Sequence, residues 1–259
     1  AWYAIADVAK GNVEFRFEFG KVATLENWYH DDCYVMTNAG YFNMTTHETG
    51  DFSVDRGNVT LAKWADVPRG AFGVDINQKP YAFWTAKSAD QQTYFFNEPE
   101  PNILNVNSYN TVRPDYPSNN LIFEPYYAMC AGPLLVKDGK VVTDVTMEGS
   151  DFVRNYEQVA LDIFTNSSIT PDRTAVGYTA DGKIILFICD GRIKASRGAS
   201  IVEIAQLMLG LDCVGACNFD GGGSTAMTLW GKRVNSTESN MSGGYENRAV
   251  GTVMGFYKK

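Results

Sequence analysis

"GASIVEIAQLMLGLDCVGACNFDGGGST", residues 198–225, predicts a helix, a buried strand and a glycine-rich loop in direct succession. Ser200 and Glu203 stand three residues apart ahead of an apolar run, which is the spacing of a capping box at the start of a helix. Residues that would share one helical face follow at Ile201, Ile204, Ala205 and Met208. We therefore expect a helix that stops at Gly210.

The strand and the loop after this helix raise a question of function. "VGACNFD" is typical of a buried strand and would deliver Asp220 at its end, where a carboxylate is costly unless it has a role. Backbone amides that carry no side chains can approach an anion closely, and Ser224 and Thr225 add hydroxyl groups. The loop is either an anion site beside a functional carboxylate or a tight turn whose amides Asp220 caps.

Strand patterns dominate the rest of the chain. Residues 13–19 alternate apolar and charged side chains, and residues 33–42 predict a strand that runs into a turn at Asn38. Residues 226–230 and 249–257 predict two more strands. Turn residues between apolar runs predict hairpins around residues 77–80, 138–139 and 181–182. We expect an α+β fold, a single domain over residues 1–259 with a mostly antiparallel or mixed sheet, a few helices and the site at the strand ends. An Asn- and Pro-rich segment predicts a loop-rich excursion at about 97–125.

Composition excludes several classes of function. A formal charge of −8 without a Lys or Arg cluster argues against binding to nucleic acid or anionic lipid. No apolar window is long enough for a transmembrane segment. The two histidines, His30 and His47, both precede Ser224, which excludes a hydrolase triad with its histidine after the serine. The five cysteines form no C-x-x-C pair, which leaves buried thiols and one or two disulfides as alternatives.

Polar residues stand at the ends of several predicted strands. Asp190 follows the run "IILFIC", Asn38 ends the strand before "AGYF", and Arg173 and Arg248 each precede a strand. A site built on a rigid sheet requires such an arrangement, and arginine suits phosphate because it donates paired N–H bonds. The alternative is that the arginines only balance a negatively charged surface.

Taken in order, four segments resemble the phosphodiester glycosidase family: "NAGYF" (38–42), "DRTAVGYTADGKIILFICDGR" (172–192), residues 198–225 and "NRAVGTVMGF" (247–256). The resemblance runs from about residue 34 to the C-terminus and is dense from about 172. It implies hydrolysis of a sugar-1-phosphodiester, such as one of N-acetylglucosamine, into free sugar and a phosphomonoester. A phosphorylated carbohydrate is therefore the expected partner, and we predict no cofactor, with a divalent cation as the alternative.

The resemblance also carries over site residues by motif position. The expected catalytic residues are Asp190 and Asp220, one of which would serve as base for water or as nucleophile. The expected phosphate- or substrate-binding residues are Asn38, Gly40, Arg173, Arg192, Gly221, Gly222, Gly223, Ser224, Thr225 and Arg248. The loop amides and arginines would stabilise the charge that develops on the departing phosphate.

Two other functions compete with this hypothesis. One is a metal-assisted phosphodiesterase or phosphatase that uses Asp190 and Asp220 as oxygen ligands. The other is a non-catalytic protein that binds phosphorylated glycans. The start "AWYAIADVAKG" has no initiator Met and predicts a processed chain, which together with the habit of the family suggests a bacterial, extracytoplasmic location, periplasmic or at the cell surface. The sugar, the group across the phosphate, the stereochemical outcome and the oligomeric state stay open.

Overall fold

A computed structural model describes residues 1–43, 45–46, 48, 52–60, 69–87, 93–96, 124–142, 157, 170–236, 238–239, 244–245 and 247–259. The strands, in chain order, are β1 (Trp2–Ala6), β2 (Val13–Glu18), β3 (Cys33–Asn38), β4 (Ser53–Asp55), β5 (Asn58–Thr60), β6 (Arg69–Val74), β7 (Pro80–Lys87), β8 (Thr93–Phe96), β9 (Tyr127–Cys130), β10 (Leu134–Lys137), β11 (Lys140–Val141), β12 (Arg173–Thr179), β13 (Ile184–Cys189), β14 (Cys213–Phe219), β15 (Met227–Leu229), β16 (Lys232–Arg233), β17 (Glu238–Ser239), β18 (Gly244–Tyr245) and β19 (Val253–Lys258). The helices are α1 (Leu25–Trp28) and α2 (Ile201–Gly210), with short 3-10 turns at Val8–Lys10 and Gly222–Ser224.

These strands form three main sheets and one two-stranded ribbon. The first sheet has the order β1-β13-β12-β14-β10-β11, the second β16-β15-β3-β19-β2 and the third β5-β4-β9-β6-β7-β8, while β17 pairs with β18. The strand pairs described in all four are antiparallel. The predicted α+β fold class with mostly antiparallel sheets is therefore confirmed.

The predicted elements occur, although the last strand, predicted from residue 249, begins at Val253. The three predicted hairpins are β6–β7, β10–β11 and β12–β13. Helix α2 ends at Gly210 and begins with the capping box, in which the Ser200 hydroxyl accepts from the amide of Glu203 and the Glu203 carboxylate accepts from the amide of Ser200. The predicted excursion at about 97–125 falls almost entirely on residues 97–123, which lie outside the described residues.

A shared core joins the three sheets. It contains Phe15 and Phe17 from the second sheet, Phe72 from the third, and Val176 and Ile188 from the first, all essentially inaccessible to solvent. Full burial of such a side chain stabilises the fold by about 1.5–3 kcal/mol. A separate cluster between α2 and the first sheet takes up the predicted apolar face of the helix. The first sheet is thus covered on both faces, which gives its strand ends a rigid support.

The sequence left two alternatives for the five cysteines, buried thiols or one or two disulfides. In the structure all five are buried and free. Burial raises the pKa of Cys33 and of Cys213 to about 12, and negative neighbours add to the effect. These thiols therefore act as small apolar core groups.

No helix in the described part of the chain is long and apolar enough to cross a membrane.

The register of the first and second sheets brings their strand ends together. Thr174 pairs with Phe219, so Asp220 follows directly beside the beginning of β12. The Asp220 amide donates to the carbonyl of Ala39, just past the end of β3, over 3.0 Å. The junction between the two sheets therefore collects the end of β3, the beginning of β12 and the end of β14.

Candidate active site

Asp220 is anchored through both of its backbone groups. Its amide donates to the Ala39 carbonyl, and its carbonyl accepts from the Asn38 side-chain amide over 2.6 Å. Both partners lie where β3 ends. Because the backbone is fixed on both sides, the Asp220 carboxylate leaves the sheet junction in a defined direction.

Asn38 is fully buried and uses both ends of its amide. Its Oδ1 accepts from the Thr174 hydroxyl over 2.8 Å and from the Ala226 amide over 3.2 Å. The hydroxyls of Thr174 and Thr225 are 3.4 Å apart. Asn38 therefore ties β3, β12 and the segment after the glycine loop into one network. The described contacts of the Asn38 side chain are with protein groups, and its role in substrate binding stays a prediction.

The glycine loop makes a tight turn against the residue before β12. Gly222 has a φ of +61°, and its amide donates to the Asp172 carbonyl over 2.9 Å. A Cβ on Gly221 would lie 2.6 Å from that carbonyl oxygen, so the approach requires a glycine. The amides of Ser224 and Thr225 donate to the carbonyls of Gly221 and Gly222. These bonds engage three of the amides that the sequence suggested for an anion site.

The Asp220 carboxyl has a shifted pKa. Burial raises the pKa of Asp220 to about 6, while the Ser224 hydroxyl, the Arg248 charge and the Gly221 amide act in the opposite direction. Asp220 keeps some contact with solvent, so it is a recessed group and not a sealed one. The Ser224 hydroxyl is buried and makes no well-aligned hydrogen bond to any described residue, but it lies close enough to Asp220 to hold its pKa down.

Tyr41 interacts electrostatically with both Asp220 and Arg173. Arg173 is buried, its Nε donates to the Ala199 carbonyl over 2.9 Å, and burial lowers its pKa to about 10, so it stays charged near neutral pH. The Tyr41 hydroxyl donates to the Gly132 carbonyl over 3.0 Å and accepts from the Asn218 side chain over 3.2 Å. Burial raises the pKa of Tyr41, Asp220 raises it further, and Arg173 opposes both. The pKa of Tyr41 is therefore affected by both Asp220 and Arg173.

Arg192 forms an ion pair with Asp172, a residue that the sequence analysis did not include in the site. Its Nε and Nη2 donate to Asp172 Oδ2 over 3.1 and 2.8 Å, while the Gly191 amide donates to the other carboxylate oxygen over 2.8 Å. Arg192 Nη2 would lie 3.5 Å from a Cβ on Gly222, so the guanidinium reaches the glycine loop. Asp172 opens the "DRTAVGY" segment and Tyr41 lies within "NAGYF", so the motifs contained both residues, but nothing in their spacing indicated these contacts.

Asp190 and Gly40 have contacts of a different kind. Asp190 Oδ1 accepts from the Asn235 side-chain amide over 2.9 Å, and Oδ2 accepts from the Ser236 amide over 3.4 Å. The same Asn235 amide donates to the Thr225 carbonyl over 3.2 Å, which links Asp190 to the loop indirectly. The Gly40 amide contacts Met129, whose sulfur would lie 2.5 Å from an added Cβ. Gly40 therefore permits close packing against Met129 of β9.

Among the described residues, no group of three or more His, Cys, Asp or Glu side chains is arranged to hold a metal ion.

Comparison with known proteins adds independent information. A family model described as phosphodiester glycosidase matches residues 31–257. Human N-acetylglucosamine-1-phosphodiester alpha-N-acetylglucosaminidase is 30% identical over 108 residues, which cover 41% of this chain and 20% of the human protein. The match therefore spans about a fifth of the length of that relative.

Solved structures share the fold. The zebrafish N-acetylglucosamine-1-phosphodiester alpha-N-acetylglucosaminidase catalytic domain, auto-inhibited by its pro-peptide, aligns with a TM-score of 0.64 and 19% identity, over 98% of this chain and 76% of that one. A Burkholderia pseudomallei protein named as exported aligns with a TM-score of 0.63 and 15% identity, over 98% and 73% of the two chains. At these identities the likeness concerns the architecture.

Proposed function

The chain belongs to the phosphodiester glycosidase family, and from that premise we propose that it hydrolyses the glycosidic bond of a sugar-1-phosphodiester. The products are the free sugar and a phosphomonoester. One observation carries the proposal: a recessed carboxyl with a pKa of about 6, at Asp220, lies within the electrostatic reach of Arg248 and beside the Ser224 hydroxyl. An acid, a cation and a hydroxyl in one recess suit a substrate that joins a sugar to an anion.

In this proposal Arg173 and Arg248 stabilise the negative charge that develops on the departing phosphate. Breaking the anomeric C–O bond leaves the electron pair on a phosphate oxygen, while the sugar carbon gains oxocarbenium character. Arg173 is fixed by its bond to Ala199 and stays charged although it is buried. Arg248 acts on Asp220 through its charge. Preorganised donors of this kind stabilise developing charge by about 3–4 kcal/mol each when they are well placed.

Asp220 acts on water in this mechanism. With a pKa of about 6, the carboxyl is ionised in roughly nine molecules of ten at pH 7. It accepts one proton from water, the water oxygen bonds to the anomeric carbon, and the phosphomonoester departs with the electrons of the broken bond. Attack by the carboxylate itself, followed by hydrolysis, uses the same charge state. Phosphate is a better leaving group than a sugar alkoxide, so the reaction depends little on a strong general acid.

Asp190, Asp172 and Asn38 support this centre in the proposal. Both carboxylate oxygens of Asp190 accept hydrogen bonds from protein groups, and Asp172 holds Arg192 and the loop. Asn38 fixes the backbone of Asp220. We assign these three residues to positioning and the chemical step to Asp220.

The names of the relatives support N-acetylglucosamine as the sugar, and we include that in the proposal. We also propose an extracytoplasmic location, for which the support is the name of the Burkholderia pseudomallei protein.

Product analysis tests the proposal. The protein is incubated with the methyl phosphodiester of N-acetylglucosamine 1-phosphate, and free sugar and methyl phosphate are quantified by mass spectrometry, with and without exhaustive EDTA treatment. Equal release of both products that survives EDTA supports the proposal. Loss of activity with EDTA, regained on adding a divalent cation, would instead support metal-assisted hydrolysis. Ligand binding without any product across a panel of sugar-1-phosphodiesters would indicate a binding protein.

A further inference from the structure

A cavity of about 490 Å³ opens beside the edge strand β2 of the second sheet. One wall consists of residues of β2 and the residue after it: Glu14, Arg16, Phe17, Glu18 and Phe19. The facing wall comes from the β4–β5 turn and the start of β9: Asp55, Arg56, Tyr126 and Tyr127. None of these residues belongs to the set placed around Asp220, so the proposed hydrolysis leaves this cavity without a role.

The charged side chains that line the cavity are paired within the protein, and acidic groups outnumber basic ones among them. Each acidic or basic side chain of its walls contacts a group that can carry the opposite charge. The contacts are Glu14 with Arg16, Arg16 with Asp32 over 3.1 Å, Glu18 with His30 over 2.9 Å, and Asp55 with Arg56 over 3.4 Å. An ionic ligand would have to compete with these contacts, whereas an uncharged one can use the remaining N–H groups and lone pairs. The walls therefore favour a neutral polar ligand.

Aromatic rings supply the apolar part of the cavity. Tyr126 and Tyr127 pack edge to face, with ring centroids 4.9 Å apart. Burial raises the pKa of Tyr127, and Glu14 raises it further, so its hydroxyl stays protonated and able to donate. A pyranose ring has an apolar C–H face and a rim of hydroxyls. Tyrosine, which combines a ring face with a polar tip, matches both features of such a ligand.

The edge of β2 is less suited to an added peptide strand. A peptide that extends a sheet bonds to free backbone groups of the edge strand. The Phe15 amide on β2 instead donates to the side chain of Gln78 over 2.6 Å, and Gln78 is buried. A peptide would have to displace this glutamine, while a small ligand in the cavity would not.

We propose that this cavity is a second carbohydrate site, which takes a neutral pyranose residue against the Tyr126 ring, with Tyr127 and Arg56 as further wall residues. Glu18 pairs with Val253, which in turn pairs with Asn38, so one wall lies two strands from the end of β3. That separation is roughly 10 Å between backbones. The inference does not depend on the proposed hydrolysis, because it uses none of the residues around Asp220.

A binding titration tests the site. Maltotriose, cellotriose and tri-N-acetylchitotriose are titrated into the full Asp220→Asn protein and followed by saturation-transfer NMR and calorimetry, with inorganic phosphate as the ionic comparison. We expect saturable binding of at least one trisaccharide, unchanged in Arg248→Ala. Tyr126→Ala should weaken it about three- to tenfold, the loss of one aromatic contact.

Arg56→Ala is the second variant, and Arg197→Ala is its matched control. Both arginines are well exposed and pair with a nearby acid, Asp55 or Glu203, so neither change threatens the fold. Binding should weaken in Arg56→Ala and stay unchanged in Arg197→Ala. The proposal is overturned if no trisaccharide binds saturably, if binding is lost in Arg248→Ala but kept in Arg56→Ala and Tyr126→Ala, or if phosphate binds more tightly than the sugars.

Discussion

The side-chain amide of Asn38 donates to the backbone carbonyl of Asp220 over 2.6 Å, although 182 positions separate the two residues in the chain. This bond joins the end of β3 to the end of β14. It makes the direction of the Asp220 carboxylate depend on the packing of two sheets.

Asn38→Ala should lower both stability and turnover. The change leaves the partly buried Asp220 carbonyl and the buried Thr174 hydroxyl short of a partner, which costs about 1–3 kcal/mol in urea unfolding. Turnover of the methyl phosphodiester should fall by at least about tenfold, because Asp220 loses its fixed backbone. The neighbouring Thr37→Val is the control, since the Thr37 hydroxyl is buried without a hydrogen-bond partner among the described residues. Equal effects of the two changes would contradict the role given to Asn38.

Asp220→Asn should abolish turnover and keep the fold, because the shape is retained and only the charge is lost. Removal of a general base lowers the rate by on the order of 10²–10⁴-fold. Asp181→Asn is the control, as that carboxylate is exposed and pairs with Lys183 in the β12–β13 turn. Steady-state kinetics and circular dichroism measure the two effects. A near-normal rate in Asp220→Asn would move the chemical step to another residue.

The rate should depend on the ionisation of Asp220. Its pKa of about 6 means that kcat/KM rises as the pH increases through about 6 and then levels off. A rate that falls over the same interval would indicate that Asp220 works as an acid in its protonated form. The profile is measured between pH 4 and 8 with the methyl phosphodiester of N-acetylglucosamine 1-phosphate.

The same pKa predicts a change of stability with pH. Burial raises the pKa of Asp220 from 3.8 to about 6 in the folded state. The folded protein therefore binds the proton more tightly, and this group favours folding at low pH. That contribution is present below about pH 4 and is lost as the pH rises through 6, with a total of at most about 3 kcal/mol. Asp220→Asn should thus gain stability relative to wild type at pH 7 compared with pH 4. Urea unfolding of both proteins at both pH values measures this difference. A difference in unfolding free energy that is the same at pH 4 and pH 7 would contradict the raised pKa of Asp220.

Arg248→Ala should weaken ligands that carry phosphate more than the free sugar. A charged hydrogen bond lost from the phosphate corresponds to about tenfold or more in affinity. The exposed Arg197→Ala again serves as the control for loss of one positive charge. Inhibition constants for N-acetylglucosamine and its 1-phosphate compare the two ligands. Equal weakening of both would argue against a phosphate clamp at Arg248.

Local patterns were sufficient to predict several elements of the fold, although β1 and α1 were not among them. The capping box at Ser200, the alternation around Phe15 and Phe17 and the turns at the Asp-Gly pairs each depend on neighbouring residues alone, and the structure confirms them. The order of strands within each sheet depends on contacts between distant segments. No local pattern carries that information, so the junction between the first two sheets was not predicted.

In the site, too, the sequence predicted individual residues but not the contacts between distant segments. The residues around Asp220 came from motifs, but their partners did not. Asp172 is close to Arg192 only because β12 and β13 form a hairpin, and Tyr41 approaches Arg173 only because two sheets meet. The amides of the glycine loop could be taken as free from the sequence alone. In the fold they donate to carbonyls of the loop itself and of Asp172, the residue before β12, and the sequence does not reveal these contacts.

Hydrolysis in H₂¹⁸O tests most directly the claim that Asp220 directs water to the sugar carbon. The methyl phosphodiester of N-acetylglucosamine 1-phosphate is cleaved in labelled water, and the masses of both products are measured by mass spectrometry. The measurement is made early, before the free sugar exchanges its anomeric oxygen with water. We predict ¹⁸O in the released sugar and none in methyl phosphate. Label in the phosphate would show that the P–O bond breaks and would contradict the account.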